Sequence, residues 1–96
     1  MPKVFIINKG AHDYSAAEEY GELVFCTEGL IDKFNTSQMV RIFNEAFKDA
    51  QAHDYILITS LTTLCSVASA IFARHHGRIN FLIFRDGRYV ERTVVL

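Results

Sequence analysis

Ninety-six residues fit one domain, 1–96, and with half of them apolar the chain can build a core without disulfides or metal. One proline and five glycines exclude a linker-like or low-complexity chain. A net charge of −1 offers nucleic acid no strong overall attraction, and no segment reaches the ~20 apolar residues of a membrane span, so a soluble cytoplasmic protein is expected.

Lys3–Asn8 (KVFIIN) is a continuous apolar run, too short for a signal peptide and typical of a strand covered on both faces. Asn8-Lys9-Gly10 breaks it. Ser15-Ala16-Ala17-Glu18 has the capping-box form and predicts a short helix ending at Gly21. Leu23–Cys26 follows as a second strand, leading into Thr27-Glu28-Gly29. Leu30, Ile31 and Phe34 are expected to anchor the next connection to the core. A second helix, capped by Asn35 or Thr36, carries Met39, Ile42, Phe43, Ala46, Phe47 and Ala50 as one apolar stripe at helical spacing.

Tyr55–Thr59 (YILIT) predicts a central third strand. The helix from about Thr62 to His76 is apolar around most of its circumference, which implies deep burial or cover by a partner subunit in a homo-oligomer. Gly77 ends it, and Ile79–Phe84 (INFLIF) reads as a fourth strand buried on both faces. Asp86-Gly87 is a two-residue hairpin signal that returns Tyr89–Leu96 as an antiparallel edge strand. The order βαβαβαββ predicts a small three-layer Rossmann-like α/β sheet, mostly parallel, with an antiparallel C-terminal hairpin.

Four parallel strands would bring their carboxyl ends to one edge, where α/β sheets bind ligands. That edge would hold Asn8, Lys9 and Gly10, then Thr27 and Glu28, then Thr59, Ser60, Thr62 and Thr63, and finally Arg85. His12, Asp13 and Tyr14 continue the first of these loops with further hydrogen-bonding groups. Ser60-Leu61-Thr62-Thr63 either caps the third helix or, with the helix N–H groups, holds a phosphate, a ribose or another anion. Lys9 and Arg85 would offset negative charge, while His12 and Tyr14 would stack on or hydrogen-bond a base. The opposite edge (Lys3, Glu22, Asp54, Arg78) reads as ordinary charged surface.

No P-loop and no GxGxxG is present, which disfavours mononucleotide hydrolysis and dinucleotide redox chemistry. Cys26 and Cys65 form no metal-ligand spacing and read as free thiols, so neither a metal nor a cofactor is implied. Five arginines between Arg74 and Arg92 against two acids either protect an edge strand or face a phosphate or carboxylate. Three functions follow: a non-enzymatic ligand-binding protein, a protein-interaction inhibitor or accessory module without a small ligand, or a small hydrolase or lyase using His12 with Glu28 or Cys65.

The element Ile7–Gly21 (INKGAHDYSAAEEYG), followed by DYILITSLTTLCSVASAIFARHHGRINFLIFRDGRYVERTVV, resembles a family of short proteins carried by tailed bacteriophages. The resemblance covers nearly the whole chain. It brings no activity with it and implies an accessory role in the host cytoplasm during infection, such as anti-defence sequestration of a nucleotide-derived signal. The chain is also similar in layout to CRISPR-associated Rossmann-fold sensor domains, which bind cyclic oligonucleotides at a Thr/Ser-Gly-Gly-Thr-Lys turn. Here that place reads Thr59-Ser60-Leu61-Thr62-Thr63. The paired glycines and the lysine of that turn are absent here.

Overall fold

Val4, Phe5, Ile6 and Ile7 are all buried because the strand they form lies inside a sheet with both faces covered. The computed structural model describes residues 1–96. Its strands are β1 (Lys3–Ile6), β2 (Glu22–Phe25), β3 (Tyr55–Leu57), β4 (Arg78–Arg85) and β5 (Arg88–Val95), in the spatial order β2-β1-β3-β4-β5. β1 pairs in parallel with β2 and with β3, and β3 with β4; β5 closes the edge antiparallel to β4. The predicted Rossmann-like α/β architecture is what the chain forms.

The two faces are covered unequally. Helices α1 (Thr36–Ala46) and α2 (Thr62–His76) both lie on one face. There Met39, Phe43, Leu64, Ala68 and Phe72 pack on Phe5, Ile7, Ile56 and Ile79. On the other face the only cover is a 3₁₀ helix, Ser15–Tyr20, whose Ala17 sits over Val4, Ile6, Leu57 and Leu82. The third layer is therefore one thin turn. It is pinned by its tyrosines, since the Tyr20 hydroxyl donates to the Tyr89 carbonyl at 3.1 Å. Gly21 ends this turn against the N-terminal segment, where a Cβ would collide with the Pro2 carbonyl.

Several local expectations are corrected. Ser15 makes no capping box: the Asp13 carboxylate accepts the Ser15 N–H at 2.9 Å, and the turn closes with i to i+3 bonds that leave no α-helical first turn to cap. Asn35 does cap α1, its side-chain oxygen accepting from Gln38 N–H at 3.1 Å. That helix stops at Ala46, although Phe47 and Ala50 stay buried in the turn beyond it. Leu30 and Phe34 do not anchor their loop: both are exposed, and Ile31 alone of the three packs on the core. β4 is buried on both faces only in its first half, because no helix follows it to cover Ile83 and Phe84. α2 buries Leu64, Cys65, Ala68, Ile71 and Phe72 and turns Ser66, Ala70, Arg74 and His75 outward.

The amino edge of the sheet is not ordinary surface. Asp54 is 3% exposed, and its two carboxylate oxygens accept the Lys3 N–H at 2.9 Å and the Gln51 N–H at 2.8 Å. Buried Asn80 on β4 donates to the Ala52 and Asp54 carbonyls and accepts from Arg78 and Thr93. This network locks β1, β3, β4 and β5 together at one end. Replacing Asp54 by Asn puts an amide donor against one of two backbone donors. The Asp54→Asn variant should lose about 1–3 kcal/mol, read as a lower urea midpoint with unchanged slope.

Candidate functional site

β1 and β3 lie side by side, but the chain leaves them on opposite faces: from β1 through the 3₁₀ helix, from β3 through α2. Diverging exits leave a crevice at the carboxyl ends of these strands, the place where open α/β sheets bind ligands. A cavity of about 340 Å³ occupies it. Asn8, Gly10 and Ala11 from the first exit meet Leu57, Thr59 and Ser60 from the second. The Asn8 loop and the Ser60 turn thus share one rim.

The first loop is held by two braces. The Tyr14 hydroxyl accepts the Gly10 N–H at 3.0 Å and donates to the Asn8 carbonyl at 3.2 Å, closing the loop on itself. From the side, Lys9 N–H donates to the Thr27 carbonyl at 2.8 Å, and Lys9 and Glu28 form a parallel bridge. The Thr27 hydroxyl donates to the Ile7 carbonyl at 2.8 Å and lies 2.7 Å from the Asn8 side-chain amide. Thr27 and Glu28 accordingly support the loop and do not line the cavity.

Four aromatic rings wall the cavity. His12 stands edge-on to Tyr14 at 5.1 Å, to Phe84 at 4.7 Å and to Tyr89 at 6.4 Å between ring centres. Phe84 and Tyr89 are direct partners across the β4–β5 hairpin, 5.2 Å apart. Phe84 is 46% exposed, whereas Tyr89 is 4% exposed and its hydroxyl has no hydrogen-bond partner within the protein. Burial, and then the nearby Tyr14 and Asp13, push the Tyr89 phenol above its usual range, so it is a neutral donor.

The remaining predicted residues lie outside this cavity. The Lys9 ammonium sits 4.9 Å over the Phe25 ring, in an adjoining depression shared with His12, Asp13 and Tyr14. Asp13 spends its carboxylate on Ser15, whose backbone N–H holds the acid below the ordinary range. Arg85 is largely exposed, 3.7 Å from Asp86. Thr62 and Thr63 do not cap α2, because Leu61 occupies the cap position and makes no side-chain bond there. They line a separate depression with Lys33, and Ser60 borders both it and the main cavity.

Sequence reasoning missed Phe84, Tyr89, Leu57 and Lys33. For the first two a signal existed: a two-residue Asp-Gly turn pairs Arg85 with Arg88 and hence Phe84 with Tyr89. No such local signal identifies Lys33.

The cavity sets aromatic walls against the polar side chains of Asn8, Thr59 and Ser60. His12 faces aromatic rings, while Glu28 and Cys65 line neither depression that His12 lines. The Cys65 thiol lies below the rim, 3.4 Å from Thr59 N and 3.5 Å from its carbonyl, tying the β3 exit to α2. Burial pushes the Cys26 thiol up to about 12, which leaves it inert at neutral pH. No three metal-ligating side chains converge anywhere. Removing the Tyr14 hydroxyl alone should loosen the rim. Tyr14→Phe should cost about 1 kcal/mol and speed amide exchange at Gly10 while exchange at Val24 holds, as hydrogen-exchange measurements would show.

No curated protein and no solved structure matches the chain. No helix is long and apolar enough to cross a membrane. A family model does match, over residues 2–96, and on that near-complete match the chain belongs to the phage Pam3 gp32-like protein family.

Proposed function

We propose that this phage protein is a non-enzymatic binding protein whose carboxyl-edge cavity holds a nucleotide-derived, anionic small molecule. Its role during infection would be to sequester a nucleotide signal of host defence. One observation carries the reading: a preformed cavity at the β1/β3 crevice, aromatic on one side and polar on the other. Asn8, Thr59 and Ser60 supply the polar side; His12, Tyr14, Phe84 and Tyr89 supply surfaces for a base. Ser60 stands where a ribose would pass from the cavity to the depression at the start of α2. There Thr62, Thr63 and Lys33 would meet phosphate.

A second reading, a protein-interaction module, draws on the exposed apolar side chains. Leu30 is fully exposed and Phe34 is 84% exposed on the loop before α1, while Val95 and Leu96 end the edge strand in solvent. In its homo-oligomeric form it predicts concentration-dependent association by sedimentation, abolished by Leu30→Ser with Phe34→Ser. A monomer at every concentration removes the homo-oligomer and leaves a host protein, such as an enzyme that the exposed face blocks, as the partner of this reading.

The ligand reading is tested on the full chain by mass spectrometry of whatever denaturation releases, together with a thermal-shift panel of nucleotides and cyclic oligonucleotides. A ligand at ~100 times its dissociation constant stabilises by about 2.7 kcal/mol, enough to raise the melting temperature by several degrees. An empty spectrum with no shift across the panel defeats the proposal.

A further inference from the structure

We propose that the cavity selects its ligand through an uncharged heteroaromatic ring, so that the unit it binds is a nucleoside and the phosphate is dispensable. This rests on the ligand reading above and sharpens it.

The charge distribution is the first support. No lysine, arginine, aspartate or glutamate lines the cavity. The cations of this edge are elsewhere: Lys9 over Phe25, Arg85 beside Asp86, and Lys33 in the depression beyond Ser60. Apart from the ionisable imidazole of His12, an anion placed among the four rings would meet no cationic side chain, and giving up its hydration there is unfavourable. A neutral ring gives up little hydration and gains stacking and edge contacts.

Tyr89 is the second support, and it is independent of charge. Its side chain is buried under the 3₁₀ helix and lines the cavity, yet the hydroxyl bonds to no protein group. Arg78 Nε is the one buried side-chain nitrogen or oxygen left unpaired, so the Tyr89 hydroxyl reaches the open side of the cavity, where its donor is free for a ligand acceptor. Raised by burial, the phenol stays protonated and suits a neutral ring nitrogen or carbonyl.

Size and exposure complete the case. About 340 Å³ is at the small end of ligand cavities, which run from about 300 to 1,000 Å³. It has room for a base and part of a sugar. The phosphate position is open to solvent, since Thr62, Thr63 and Lys33 are all exposed. Charge attraction there is screened by salt and contributes little.

Titration calorimetry on the full chain, with adenosine, guanosine, cytidine, uridine and their monophosphates at low and high salt, tests this. At least one nucleoside should bind within about threefold of its monophosphate, the small ratio that an exposed charge contact gives, with little change between salts. Phe84→Ala removes a half-exposed wall ring and should weaken that nucleoside about tenfold or more, with the circular dichroism spectrum unchanged. Tyr89→Phe keeps the ring and should also weaken it; should that variant fail to fold, Phe84→Ala carries the test alone. If monophosphates bind with steep salt dependence and nucleosides do not, the ring proposal is overturned and the ligand reading stands. Unchanged affinity in Phe84→Ala likewise overturns the ring proposal. If neither class binds, the ring proposal falls, and the ligand reading is decided by the released-ligand spectrum and the cyclic oligonucleotides above.

Discussion

The parallel pairing of β1 with β3 is the constraint from which the rest of the molecule follows. Each strand is short, and each has both faces buried, so neither tolerates a different register without exposing its apolar side chains. Because the chain departs from them on opposite faces, the crevice between their carboxyl ends cannot be filled by either connection. At the other end, Asp54 and Asn80 hold the strand starts together through backbone hydrogen bonds. The sheet is thus clamped at its amino edge and open at its carboxyl edge.

Tight packing and open space are divided between the two faces. The helical face has a core of thirteen buried residues with stacked and edge-on phenylalanines. The other face has seven, two of them tyrosines. A six-residue 3₁₀ helix cannot cover the full length of β3 and β4, so Leu57, Phe84 and Tyr89 remain at the margin of that core. The cavity is what this short cover leaves behind. Its walls are aromatic because they belong to an incompletely roofed hydrophobic face.

The architecture was legible in the sequence because each element carries its own period and its own punctuation. Lys3–Ile6, Tyr55–Leu57 and the Asp86-Gly87 hairpin appear where apolar runs and turn residues place them. So does α1, with Asn35 at its start. Legibility fails where a feature depends on what lies across space. Asp54 looks like a surface acid until Lys3 and Gln51 are seen to point at it. Leu30 and Phe34 look like core anchors until their loop proves to run over open surface. At the site, Asn8, Gly10, His12, Tyr14, Thr59 and Ser60 come together at the predicted edge. Lys9, Asp13, Thr27, Glu28, Thr62, Thr63 and Arg85 share that edge without lining the cavity, since a sheet edge is much longer than the crevice within it.

The hairpin tip has an effect that reaches well beyond its own residues. Asp86 and Gly87 both take left-handed backbone angles, φ 52° and 84°, and that geometry sets which β5 side chain stands opposite Phe84. An extra residue there would slide the last strand by one position and swing Tyr89 through the sheet to the helical side. Two residues at the tip thus act as the gauge of a whole cavity wall, and their number is as tightly specified as any side chain of the interior.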